Sequence, residues 1–303
     1  KLININFFQN KKLIGVISAL LVVLIWSFWL IVSRVGVKTH LSIYDLAAIR
    51  FGLSSLFIAP FIIYFRIWQT ISLKKSLITA FSIGPFYVLL AFGGFYYSPA
   101  YHGGVFMNGI LPAITVFIGY LIGKRLVKLE LLGTSLILLG SLIILFDHPY
   151  EILKNSWKGD IFFIISAIFL SIFIILVNKW DLRFSQILYS ICIINALFYL
   201  PVWILFLPKG FDFSDFSLYD RDIVINILFQ GFVPNIFGLY LTAFATKSIG
   251  TAKASSILAA VPISGAILGF FFLSEIPTYF SWMSLFIVSI GILIIVLRKN
   301  KYA

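Results

Sequence analysis

The sequence predicts an all-α integral membrane protein, with ten transmembrane helices arranged as two inverted five-helix repeats. Three observations predict it. Hydrophobic residues make up 61% of the 303-residue chain and charged residues only 11%, against about 45–50% and about 25% in soluble domains. A water-soluble globule of this length has no interior large enough to hide so much apolar surface, so lipid must be the solvent for most of the chain. The apolar residues fall into ten runs, each near the roughly 20 residues that cross a hydrocarbon core of about 30 Å. The last five runs repeat the pattern of the first five.

The first run, 13–34, follows Lys11 and Lys12. It is too long for a cleavable leader and leads into further apolar runs. The second, 43–65, and the third, 76–97, flank a separator from Arg66 to Lys75. The fourth, 101–122, opens on the small residues Ala100, Gly103 and Gly104, and the charged link Lys124 to Lys128 divides it from the fifth, 129–146. The sixth, 158–179, ends at Lys179, and the seventh, 184–207, runs from Arg183 to the separator Pro208 to Arg221. The eighth, 222–246, stops at Lys247; the ninth, 252–273, stops before Glu275; the tenth, 279–298, closes at Arg298 and Lys299. Phe, Leu and Ile fill whole runs without period-two polarity, which argues against an outer-membrane barrel.

Ten crossings put both termini on one side. That side then holds sixteen basic residues and the other six, with Arg50 inside the second run. Of the acids, only Glu130 and Asp181 fall on the basic side. The bias places both termini in the cytoplasm of a multi-pass protein of the inner (plasma) membrane. It also accounts for the net charge of +12 without a polyanion, and no basic cluster interleaved with aromatics points to nucleic acid. The single cysteine, Cys192, excludes an intrachain disulfide and a multi-cysteine metal site. The expected partners are a small-molecule substrate and the lipid bilayer, with no metal or cofactor, in a monomer or weak homodimer.

A shift of 150 residues lays Pro112 on Pro262 and brings Ala100, Gly103 and Gly104 close to Ala252 and Ala254. One further residue of offset matches Gly140-Ser141-Leu142-Ile143-Ile144 with Gly291-Ile292-Leu293-Ile294-Ile295. The halves are expected at 1–147 and 158–303. Each holds five spans, an odd number, so they sit upside down relative to each other. Inverted repeats characterise secondary transporters, which exchange access about a site near the midplane; the alternative is a duplication in a non-transporting protein. Leu24-Ile25-Trp26-Ser27, Ala48-Ile49-Arg50-Phe51, Ser98-Pro99-Ala100 through Pro112, Ala243 through Pro262 and Leu273-Ser274-Glu275 together resemble the EamA-type branch of the drug/metabolite transporter superfamily. The resemblance covers nearly the whole chain. It implies helices one to four and six to nine around a central cavity, with five and ten peripheral, and transport of amino acids, nucleotide sugars, other metabolites or drugs. The family's Gly-Glu pair after the fourth helix of each half is only half kept here, as Ser274-Glu275, while the first half reads Gly123-Lys124-Arg125.

Polar groups within hydrocarbon are costly unless they face a partner or a wet cavity. In span four, Asn108 stands one turn before Pro112, with Tyr101, Gly104 and Thr115 on the same stripe. Asn108 either lines a cavity or bonds a neighbouring helix. Span eight carries the densest polar set: Asn226, Gln230, Pro234, Asn235, Phe237 and Tyr240. In span seven Asn195 lies near mid-depth, one turn from Cys192 and Tyr199; the cysteine reads as packing. Tyr87 shares a stripe of span three with Gly84, Ala91 and Gly94, serving either close packing or the cavity. Trp26 and Trp29 share a face with Ser33, and Trp26 sits roughly 20 Å beyond Lys12, too deep for an interfacial belt. Arg50 either snorkels or pairs with Asp45, or holds a substrate carboxylate. Gly119 with Gly123 and Gly265 with Gly269 read as close-packing pairs. The candidate substrate-binding residues are therefore Trp26, Trp29, Arg50, Tyr87, Tyr101, Asn108, Asn195, Gln230, Asn235 and Tyr240.

No carboxylate lies deep in any span, which removes the relay expected of many proton-coupled pumps and the embedded glutamate of small multidrug exporters. Amides, hydroxyls and aromatics with one arginine suit a small neutral or zwitterionic solute, amino-acid-like, carried by alternating access. The rival functions are export of drug-like or cationic compounds, and a non-transporting sensor or scaffold. His40, His102 and His148 are dispersed at the edges of the spans, His102 read as a loop residue at the outer mouth rather than a proton carrier, and form no metal or catalytic set, so an enzyme is not expected.

Overall fold

A computed structural model of the chain describes residues 2–147, 154–210 and 220–297. Lys1, His148, Glu151, Asp212, Asp215, Arg298, Lys299 and Lys301 of the sequence argument lie outside them. Ten apolar helices are long enough to cross a membrane: α1 Lys11–Gly36, α2 Ile43–Tyr64, α3 Leu73–Tyr97, α4 Ala100–Leu121, α5 Lys128–Phe146, α6 Ser156–Lys179, α7 Phe184–Phe206, α8 Arg221–Ile249, α9 Lys253–Leu273 and α10 Tyr279–Val296. Among the described residues there is no strand.

The helix ends have local causes. Ser42 and Asp45 close a reciprocal capping box at the start of α2, and Thr278 accepts the Ser281 N–H at the start of α10, which satisfies amide donors with no partner inside the helix. α4 and α9 both stop on a residue in the left-handed region, Gly123 (φ +90°) and Ser274 (φ +55°), as helix C-termini commonly do. Gly123 is thus a turn glycine, not the close-packing residue expected from its spacing to Gly119; nothing lies within 4 Å of where its Cβ would be. Gly265 does pack closely, since a Cβ there would meet Leu30 Cδ1 at 2.6 Å.

Among the described residues five helices are interrupted: α7 by a π turn at Tyr189–Ile194, and four others at matching places in the two halves. α3 breaks between Ser82 and Pro85, and α8 has a π-helical turn at Val233–Gly238 containing Pro234. α4 has a π turn at Gly104–Gly109 ahead of Pro112, and α9 breaks after Leu258, ahead of Pro262. Proline removes an amide donor and crowds the preceding turn, so the ladder opens where the sequence places it. Breaks of this kind are tolerated within a membrane where protein or a cavity covers the freed backbone.

The halves interlock about a two-fold relation. α1 packs on α8 and α9 of the second half, and α6 packs on α3 and α4 of the first; α2 and α7 pack on each other, as do α5 and α10. Detailed contacts repeat the exchange. A Cβ on Gly15 of α1 would meet Ser248 Cβ at 2.6 Å, and one on Gly159 of α6 would collide with Ser98. Ser27 donates to Val261 O, and Ser171 bonds Thr115. These pairs fix an offset of 144 residues between α1 and α6. The caps Ser42–Asp45 and Arg183–Gln186, with Pro60 and Pro201 inside the helices, fix 141 between α2 and α7. At α5 and α10 the main chains touch, since a Cβ on Gly133 would lie 2.6 Å from Gly291 O, and one on Gly291 2.7 Å from Gly133 O.

Candidate functional site

A buried polar network joins α1, α2 and α8. Trp29 Nε1 donates to Gln230 Oε1 (3.0 Å), and Gln230 Nε2 donates to Ser33 Oγ (3.0 Å). Arg50 Nη2 donates to Asn235 Oδ1 (2.6 Å) and Nη1 to Gln230 Oε1 (3.4 Å). Asn235 Nδ2 donates to Ser54 Oγ (3.1 Å), which donates onward to Gly231 O (2.6 Å). The Arg50 guanidinium lies over the Trp29 ring at 5.6 Å, within reach of the ring's quadrupole. Serines one turn along from Trp29 and from Arg50 reach the same amides because i and i+4 share a helix face.

Arg50 is 7% exposed and, among the described residues, forms no ion pair. The alternative pairing with Asp45 does not occur. Asp45 is occupied by its capping box, by Trp203 Nε1 (2.9 Å) and by Gly210 N (2.7 Å). The network thus holds one cation with amide dipoles and an aromatic face, and no carboxylate.

The two-fold mates of most of these residues are apolar or small, the exception being Asn195, the mate of Ser54. Trp29 corresponds to Phe173, Ser33 to Val177, Arg50 to Ile191 and Gln230 to Ala80. Phe173, Ile191 and Cys192 belong to one hydrophobic cluster, with Val177 packed against it. One side of the pseudo-axis is therefore polar and cationic, the other greasy.

Of the expected site residues, Trp29, Arg50, Gln230 and Asn235 are brought together, with Tyr87 buried nearby. Trp26 is half-buried, its Nε1 near Gly238. Asn195 bonds Ile191 O (3.2 Å) and presses its Oδ1 on Gly84, 2.8 Å from where a Cβ would stand. It is the mate of Ser54 and serves close packing. Asn108 is half-buried and not part of the network. Tyr240 is exposed, its ring against Phe184, and stands apart from the cluster. Asn226 is buried and supports the end of α1, where any side chain on Gly36 would strike its Oδ1. Ser33 and Ser54 are the members missing from the candidate list.

Tyr101 belongs to a second site, on the face opposite the start of α1 and the end of α10. There Arg34 Nε pairs with Glu275 Oε1 (2.9 Å), and its Nη1 donates to Phe95 O and to Tyr96 O (3.2 Å). Glu275 Oε2 accepts the Ala100 N–H (2.7 Å). One ion pair thereby ties α1, α3, α4 and the α9–α10 link together. A cavity of about 580 Å³ opens beside it, lined by Arg34, Lys38, Tyr101, Glu275, Thr278 and Tyr279 among others. Burial first, and then the neighbouring Arg34 charge, hold the Lys38 ammonium below the ordinary lysine range, while Glu275 opposes the shift.

His102 is not a loop residue. It lies on the first turn of α4, fully buried, with Nδ1 2.7 Å from Asp160 Oδ1. Asp160 is 3% exposed, although it stands only one turn into α6. The Ser98 hydroxyl lies 2.7 Å from Ser156 O and 3.2 Å from the same carboxylate oxygen. Among the described residues no three His, Cys, Asp or Glu side chains group as a metal site.

The family profile described as "EamA-like transporter family" matches residues 13–146 and 157–297, nearly the whole chain in two repeats. No curated protein matches the chain. Thirteen chains of solved structures do. One of them, titled only "Crystal structure of protein", shares 15% identity with a TM-score of 0.62, over 94% of this chain and 96% of that one; the likeness is one of fold.

Proposed function

The chain belongs to the EamA-like transporter family of the drug/metabolite transporter superfamily, and within it we propose that it carries a small, amino-acid-like metabolite bearing a carboxylate, by alternating access. One observation carries the substrate class: Arg50 is a buried guanidinium with amide and aromatic partners and, among the described residues, no counter-ion. An uncompensated charge in a low-dielectric interior is costly, and a carboxylate is the ligand that offsets it with bidentate geometry. The Trp29 face and the greasy mates across the pseudo-axis suit an apolar substituent at the solute's other end. Zwitterionic amino acids with apolar side chains have this shape.

The test is a thermal-shift series on the purified protein. Apolar amino acids are expected to raise the melting temperature, corresponding to about 2.7 kcal/mol at a hundredfold excess over Kd. Their methyl esters, which keep the amine and lose the anion, are expected to do nothing. Equal stabilisation by the esters or by lipophilic cations would discard the carboxylate reading.

The termini are assigned to the cytoplasm on the excess of basic residues in the separators of that face. Reporter tags fused to the two ends should both report the cytoplasmic side. One end outside would refute the assignment.

A further inference from the structure

The two-fold relation gives every packing contact at the face opposite the termini a mate at the terminal face. The packing is conserved between mates: Gly159 against Ser98 corresponds to Gly15 against Ser248. The chemistry is not. At the mates of His102 and Asp160 stand Ala252 and Val16; at those of Arg34 and Glu275 stand Asn178 and Lys124. The His102–Asp160 and Arg34–Glu275 pairs therefore have no counterpart pair on the other face.

We propose that the His102–Asp160 pair is a proton-binding site, and that its proton is held while this face is closed and released when it opens. Both side chains are almost completely buried. Each keeps one polar atom, His102 Nε2 and Asp160 Oδ2, without a partner among the described residues. With a neutral imidazole donating from Nδ1 the pair carries one net negative charge. A proton arriving on Nε2 makes it an imidazolium and a carboxylate, net neutral, without disturbing the 2.7 Å contact. With this face closed both side chains are shut off from water, so a proton on Nε2 has nowhere to go; opening admits water and lets the proton leave from Nε2 to solvent.

Among the described residues, the surrounding elements leave Asp160 as the one charged partner within hydrogen-bond distance. α6 also carries Lys158, which lies over the rings of Tyr97 and Trp157. α1 brings Arg34, and the α9–α10 link brings Glu275, but these bond each other and the backbone of Phe95 and Ala100. α3 adds Tyr96 and Tyr97, and α4 itself adds Tyr101, whose ring lies 5.0 Å from the imidazole. α9 contributes no titratable group to this contact. A packed aromatic path leads inward to the central network. Phe95 contacts the Gly103 turn, Phe163 (ring centroids 4.8 Å apart) and Trp29 (5.6 Å apart).

This inference rests on the alternating-access reading, but its primary test needs no substrate. In protein with His40→Gln and His148→Gln, ¹⁵N-histidine spectra report His102 alone. The imidazole is expected to titrate, with the change lost or moved in Asp160→Asn. In the same samples, hydrogen exchange across residues 98–103, corrected for its intrinsic pH dependence, should quicken as the pair loses its proton. One-proton linkage limits the effect to about tenfold per pH unit. It should be flat in His102→Gln. An imidazole that stays in one state between about pH 5 and about pH 8, where histidine switches are found, would overturn the proposal, as would exchange in His102→Gln that follows the wild-type profile. If the variants do not fold, the wild-type titration decides alone. Once a substrate is known, pH-independent flux would discard the proton site while leaving the carrier intact, whereas a working titration without flux of any solute would discard the carrier instead.

Discussion

Arg50→Met abolishes the thermal response to apolar amino acids and leaves the empty protein at least as resistant to heat as the wild type. Two separate arguments give the two halves of this expected result. Removing one partner of a buried, hydrogen-bonded charge pair costs about 2–5 kcal/mol, which is roughly 30-fold to several thousandfold in affinity. The unliganded protein behaves in the opposite sense. Its guanidinium is buried against amides and a ring without an anion, so replacing it with an unbranched apolar side chain removes a desolvation penalty. Gln230 keeps Trp29 and Ser33 as partners and Asn235 Nδ2 keeps Ser54, while Asn235 Oδ1 loses its donor, a cost of about 1–3 kcal/mol that the lifted desolvation of the guanidinium offsets. A purely structural arginine would give the reverse pattern, a large fall in melting temperature and an unchanged ligand response. Melting curves of both proteins with and without ligand separate the cases.

Glu275→Gln is expected to loosen the face opposite the termini. The substitution keeps a hydrogen-bond acceptor for the Ala100 N–H but strips Arg34 of its counter-ion. Breaking one side of a buried pair costs about 3–5 kcal/mol. The protein avoids part of that cost by hydrating Arg34, that is, by opening. Hydrogen exchange at the start of α4 and at the end of α3 should therefore accelerate markedly, while the α5–α10 interface stays protected. The double substitution Arg34→Met with Glu275→Leu replaces the pair by apolar bulk and should restore much of the protection. If Glu275→Gln leaves exchange at α4 unchanged, the ion pair does not hold this face.

Much of the architecture was legible in the sequence, because length and hydropathy alone specify a membrane helix. The ten spans agree with the helices to within a few residues, and Pro112 and Pro262 marked the repeat. The site was less legible, and the reasons are local. Asn108 lies inside a π turn, Asn195 follows one at Tyr189–Ile194, and Tyr240 follows one at Val233–Gly238. A π turn adds a residue to the i→i+4 ladder, so counting stripes at 3.6 residues per turn carries the phase wrongly past it. Gln230 precedes its π turn and keeps the expected phase, whereas Tyr240 has rotated outward. His102 departs from expectation for a different reason: its place at the edge of a span suggests a loop, but the residue is covered sideways, by neighbouring helices. The mates of Arg50 and Asp160 were hidden because the offset between halves drifts from 141 to 151 along the chain, which no single shift reveals.

The glycines that bring α5 and α10 together restrict how the rest can move. With Gly133 and Gly291 set carbonyl against main chain, neither helix can slide or roll on the other without one peptide group riding over its neighbour. The pair behaves as a fixed mast. On the alternating-access reading proposed above, any swing that trades one entrance for the other belongs to the eight remaining helices, which would turn around it like booms.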